Sequence, residues 1–192
     1  EAARFEVCGH RWVHLAEPGY GVAVVNDSTY GHDVTRTVRE DGGTTTTVGL
    51  SLVRAPRIPD PEADQGRHRL TYALLPGAGI EDAVAEGYAL NLPLRVADSA
   101  GEPEPVVLAE GEGVTVEAVK LADDGSGDVV VRLYECRGGR ASGFLRTGFP
   151  LARAEVTDLL ERPLEPAETD GDAVPVRLRP FEVRTLRLAV SR

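Results

Sequence analysis

Apolar positions along this chain fall mostly in short runs with a period of two, the spacing of strands rather than helices. Gly21–Val25 (GVAVV) is almost wholly apolar, and Asn26 and Asp27 stop it; Ser28–His32 then reads as a turn or loop. Thr44–Val53 (TTTTVGLSLV) sets Val48, Leu50 and Leu52 on one face and Thr47, Gly49 and Ser51 on the other. Leu70–Leu75 is a further strand, halted by Pro76 and Gly77. Between these two, Pro56–Gly66 holds three prolines and three acidic residues and is expected to be irregular. Ile80–Leu90 is the one predicted helix, with Ala83, Val84, Gly87 and Leu90 along one side and Glu81, Asp82 and Glu86 along the other. Gly87 weakens it.

Asp98–Pro105 (DSAGEPEP) has no apolar anchor and reads as a linker, with 99–105 as its body. Strands then resume at Val106–Leu108, Val114–Leu121, Val129–Cys136, Gly143–Leu145, Ala154–Leu160, Val174–Leu178 and Thr185–Val190. Asp123–Asp128 (DDGSGD) is a hairpin connection, and Pro180 ends the penultimate strand. The pattern predicts an all-β chain, with residues 1–98 forming one region and 106–192 a small antiparallel sandwich.

Composition narrows the function. The 192 residues are 42% apolar and 27% charged, as in ordinary globular proteins, and the formal charge is −10. Acidic residues are spread along the length and Lys120 is the only lysine, so neither nucleic acid nor an anionic membrane is an expected partner. With no methionine and Glu1 in first place, the chain is expected to be a portion of a longer polypeptide. Two cysteines, Cys8 and Cys136, make no disulfide framework and are expected to be buried thiols.

Candidate chemistry is thin. His10 and His14 would share a metal on a helix. Val7–Leu15 (VCGHRWVHL) reads as extended, however, and residues four apart on a strand lie roughly 13 Å from each other. No metal site is expected, and no set of catalytic residues: the chain has no Gly-X-Ser-X-Gly elbow and no phosphate loop. Asp60–Arg69 is charged, with Asp64 expected to pair with Arg67 or Arg69. Trp12 and Tyr134 are expected to pack in or around the core. The segment with most potential is Asn26–Asp33 (NDSTYGHD), which gathers Asn26, Asp27, Tyr30, His32 and Asp33 after a buried strand. Planar hydrogen-bonding groups beside an aromatic face suit a sugar, and loops on rigid scaffolds often carry such sites. On the residues alone, an Asx turn with Tyr30 folded onto the core explains the segment as well.

Phe5–Trp12 (FEVCGHRW) followed by Gly19–Asp33 (GYGVAVVNDSTYGHD) resembles family 38 α-mannosidases. The likeness continues through Leu50–Gly66, His68–Pro76 and Leu90–Leu94. It extends to Val116–Lys120, Val131–Glu135, Asp158–Glu161 and Pro180–Leu188. It is nearest to the bacterial and vacuolar-cytosolic branch. The resemblance implies the C-terminal part of a β-supersandwich followed by a small β-sandwich. It further implies a zinc-dependent retaining glycosidase acting on terminal α-mannosides in the cytoplasm. Nucleophile, acid/base and zinc ligands would belong to an N-terminal catalytic barrel of the same polypeptide, and none maps onto this chain. The same resemblance makes Asn26, Asp27, Tyr30, His32 and Asp33 a substrate rim towards mannose-containing glycans. The alternative from a different class is an independent carbohydrate-binding β-sandwich. A truncated supersandwich is also expected to expose apolar strand edges and so to self-associate or recruit a partner chain.

Overall fold

The computed structural model describes residues 5–96, 98, 101 and 104–191. Antiparallel strands and one helix account for its regular structure, and the chain divides into two compact units, Glu1–Arg95 and Val96–Arg192. The expected linker, 99–105, includes residues 99, 100, 102 and 103, which lie outside the described residues.

The first unit has two three-stranded sheets. One orders β1 (Val7–Cys8), β4 (Gly31–Val38) and β5 (Thr44–Leu50). The other orders β2 (Trp12–Glu17), β3 (Tyr20–Asn26) and β6 (Tyr72–Pro76). Helix α1 (Ile80–Asn91) covers one face of β2 and β3, and Asp82 accepts the Gly79 N–H at its start at 2.8 Å. Strand alternation decides what the helix meets: Gly21, Ala23 and Val25 face it, while Val22 and Val24 face the other way.

Two glycines set this spacing. A Cβ on Gly21 would lie 2.3 Å from the Ala78 carbonyl oxygen and 2.5 Å from His14 Nε2. His14 Nε2 itself donates to that carbonyl at 2.8 Å. A Cβ on Gly87 would press on Trp12 at 3.2 Å, so the residue that lowers helix propensity is the one that admits the Trp12 ring.

On the far face of β2 and β3 a groove of about 830 Å³ opens toward β4 and β5. Val13, Leu15, Val22 and Val24 line one wall and Val34 and Val48 the other. Val34, Val38 and Leu74 are exposed. Cys8, expected to be buried, is exposed as well, because two-residue β1 is the edge of its sheet. Asp64 does not reach Arg67 or Arg69 as anticipated; its carbonyl instead accepts from His68 Nε2 at 2.7 Å.

The second unit is a two-layer sandwich. Strands β13 (Ala173–Leu178), β10 (Ala141–Thr147) and β7 (Val107–Glu110) form one sheet. Strands β12 (Pro163–Ala167), β11 (Leu151–Thr157), β14 (Val183–Val190), β9 (Val129–Glu135) and β8 (Val114–Leu121) form the other. Val131, Leu133, Leu186 and Leu188 meet Leu145, Val174 and Val176 in a common core. The sequence pattern misses β12, which carries Pro163 and Pro166; it survives as an edge strand, where a missing N–H leaves no ladder bond unmade. The pattern also runs β11 too far: Asp158 accepts the N–H groups of Leu160 and Arg162 and turns the chain there. At the expected hairpin, Arg187 holds Asp124 and Asp128, each at 2.7 Å, and Asp124 falls to about 2 through the Ser126 N–H and hydroxyl and then Arg187.

Glu135, 1% exposed, is the buried charge of this unit. Its carboxylate accepts the N–H groups of Arg137 and Gly138 at 2.8 Å and of Phe181 at 3.0 Å. Burial pushes its pKa up, but these backbone donors outweigh it and hold the carboxyl below the usual glutamate range. A depressed value in the folded state means stability that is full above the unfolded value and fades as the pH drops through the folded one.

Gly21→Ala is expected to lower unfolding free energy by about 1–3 kcal/mol in urea denaturation, because the methyl displaces Ala78. Glu135→Gln is expected to destabilise the chain at neutral pH. The deficit should shrink when denaturation is repeated below about pH 4.5. A constant deficit across that range would contradict the charged role.

Candidate functional site

The chain changes sheets three times in the first unit, and the three crossings meet at one place. Between β1 and β2 it passes through Gly9, His10 and Arg11, with Arg11 in the left-handed region at φ 70°. The expected unbroken strand Val7–Leu15 is therefore interrupted. His10 lies at the crossing and His14 in β2, where its Nε2 is committed to the Ala78 carbonyl. Between β3 and β4 the chain passes through Asp27, Ser28, Thr29 and Tyr30. Gly9 N donates to Tyr30 O at 2.9 Å and Asn26 N to Arg11 O at 3.0 Å, so the two crossings hold each other. The third, between β5 and β6, is stapled to them by Asp27. Its N–H donates to Thr71 O at 3.1 Å and its carboxylate accepts from Thr71 N at 3.0 Å.

Asn26 builds the turn. Its Oδ1 accepts from Ser28 N at 3.3 Å and Thr29 N at 3.0 Å, an Asx turn that replaces ladder bonds lost when the strand ends. The side chain is only 3% exposed. Asn91, at the end of the helix, donates to the Asn26 carbonyl at 2.9 Å. The Thr71 N–H and then the Ser28 hydroxyl hold the Asp27 carboxyl below the usual aspartate range. Tyr30 is 54% exposed, and its ring stands 5.1 Å from that of His10 at a tilt of 40°. The Arg11 guanidinium lies 4.5 Å over the Tyr88 ring.

The five residues singled out in the sequence do not converge. Asn26, Asp27 and Tyr30 share the turn. His32 and Asp33, expected in a loop, belong to β4 and so face opposite ways. His32 is wholly buried; its Nδ1 donates to the Tyr30 carbonyl at 3.3 Å and its Nε2 has no partner. It packs as a core histidine of this unit. Asp33 sits on the other face over Gly49, where a Cβ would be 2.1 Å from its Oδ1. In their place the fold contributes His10, Arg11 and Asn91, which line the pocket beside the turn. His10 entered the sequence reading only as a metal ligand, and nothing local marks Asn91, which arrives from 65 residues away.

Two family models match the chain. Residues 1–62 match the C-terminal domain of glycosyl hydrolases family 38, and residues 113–186 match that family's C-terminal beta sandwich domain. This chain belongs to family 38, as its C-terminal β regions. Across 98% of its length it is 37% identical to alpha-mannosidase 2C1 of Homo sapiens. It is 32% identical, over 96% of its length, to alpha-mannosidase G of Dictyostelium discoideum. It spans less than a fifth of those relatives, 18% and 17% respectively. The crystal structure of an alpha-mannosidase from Enterococcus faecalis V583 superposes with a TM-score of 0.64 over 96% of this chain and 21% of that one. Identity there is 23%, a likeness of fold.

Family 38 membership raises the question of zinc. Among the described residues no group of three or more His, Cys, Asp and Glu is placed to hold a metal ion, and His14 is already bonded to a carbonyl. These residues do not fit a zinc centre. Also among the described residues, no helix is long and apolar enough to cross a membrane.

Asn26→Ala is expected to cost about 1–2 kcal/mol in urea denaturation, since two turn N–H groups lose their acceptor. Tyr30→Ala, at the surface of the same turn, should stay within about 0.5 kcal/mol of the parent.

Proposed function

We propose that this chain is the non-catalytic C-terminal β portion of an α-mannosidase that hydrolyses terminal α-mannosides with retention. It acts as scaffold and supplies part of the substrate rim. The observation that carries the reading is the end-to-end match: 98% of the chain aligns with 18% of an alpha-mannosidase. The reacting groups and the zinc belong, in this reading, to a catalytic barrel elsewhere in the same polypeptide. A cytoplasmic location goes with it. So does a covering partner for the open groove beside Val34 and Val48, which exposed apolar walls favour.

At the rim we place Asp27, Tyr30 and His10. The tilted His10–Tyr30 ring pair offers an aromatic face beside the Asp27 carboxylate, the combination that binds a sugar ring and its hydroxyls. Asn26 acts one step back, by shaping the turn.

A polypeptide of the relatives' length is expected to cleave an aryl α-mannoside, and Tyr30→Ala within it to raise KM while leaving kcat nearly unchanged. An unaltered KM would remove the rim assignment. Turnover by the 192-residue chain alone would remove the non-catalytic one. Calorimetric titration of that chain with mannose and α-mannobiose should give no heat; binding would favour an independent sugar-binding module.

A further inference from the structure

We infer that the pocket beside the Asn26 turn is a binding site for one hydroxyl-type oxygen, supplied by water or by a sugar. Two buried polar atoms there have no partner, Asn26 Nδ2 and Thr29 Oγ1. The Asn26 amide cannot be turned round to cure this. Its Oδ1 already takes the N–H groups of Ser28 and Thr29, and a reversed amide would set its NH₂ against two donors. Nδ2 is thus a fixed donor on a side chain 97% withdrawn from solvent, and a buried donor without an acceptor is a cost that folded proteins avoid.

The space available matches one small group. The pocket measures about 10 Å³ and is lined by His10, Arg11, Thr29, Tyr30 and Asn91 besides Asn26. A single water needs about that volume and two or more polar neighbours. An oxygen seated here accepts from Asn26 Nδ2. With Thr29 it can accept or donate, because a hydroxyl rotates to suit. That freedom selects an oxygen bearing its own hydrogen, as water and sugar hydroxyls do. The exposed His10 and Tyr30 rings stand at the same pocket, where a larger molecule could carry such a hydroxyl in. The site holds whether or not the turn is a substrate rim, since water alone satisfies it.

Thr29→Val keeps the shape and removes the hydroxyl. If Thr29 Oγ1 bonds the bound oxygen, the variant should melt about 2–4 °C lower by calorimetry. If the hydroxyl is an orphan, its removal should leave the melting temperature unchanged or raise it, which would overturn the inference. A high-resolution crystal structure gives the second reading. Density within about 2.6–3.2 Å of both Asn26 Nδ2 and Thr29 Oγ1 is expected, and an empty pocket would overturn the site. The same crystals soaked in methyl α-mannoside separate the sources. Unchanged density assigns the oxygen to water, and its replacement by a ring hydroxyl assigns it to the sugar; either supports the site.

Discussion

Everything distinctive in the first unit follows from a backbone constraint: a chain that leaves one sheet for another abandons its ladder partners in the passage. Three such passages occur, and each would strand N–H and C=O groups on its own. Bringing them together lets them serve one another. Gly9 bonds Tyr30, Asn26 bonds Arg11, and Asp27 closes a reciprocal pair with Thr71. The remaining demand falls on side chains, chiefly Asn26 and Asn91, which stand in for a neighbouring strand. The left-handed Arg11 is tolerated because partners on both sides fix it. Polar and aromatic groups collect at this point because the backbone there requires them. That is also what makes it a candidate for recognition.

The second unit solves a related difficulty with charge. Where β9 ends, Glu135 gathers the free N–H groups of the following turn and of Phe181. Glu182, next to that residue, is pushed up by burial. The Arg179 N–H and the guanidiniums of Arg184 and Arg179 more than reverse this and bring it down to about 2. Arg187, inside β14, plays the converse part by tying two aspartates of the hairpin that precedes β9. A carboxylate offers about four acceptor sites on two oxygens, where a neutral amide of similar size offers two on one. These charges serve the architecture, each closing backbone N–H groups or a turn.

The all-β class and most strand centres were legible because period-two alternation is a local property. Thr44–Leu50 shows it: Val48 turns to the groove and Gly49 to Asp33. The helix was legible to within one residue at its end. Strand β12 was hidden by two prolines that only its edge position excuses. The site was half visible. Asn26, Asp27 and Tyr30 lie within five residues and announce a turn. His32 and Asp33 looked like its continuation because nothing in their neighbourhood reveals that pairing with β5 begins at His32. His10, Arg11 and Asn91 depend on contacts across many residues of chain, beyond what spacing can show.

The opposed directions of His32 and Asp33 reach beyond their own positions. A slip of β4 against β5 by one residue would turn every side chain of β4 to the opposite face. Asp33 would then swing into the space between the sheets, and the imidazole would be thrown outward. Pairing with β5, and not the length of the passage before it, therefore fixes which face each side chain takes, so the turn is free to change in length while the strand beyond it holds its parity.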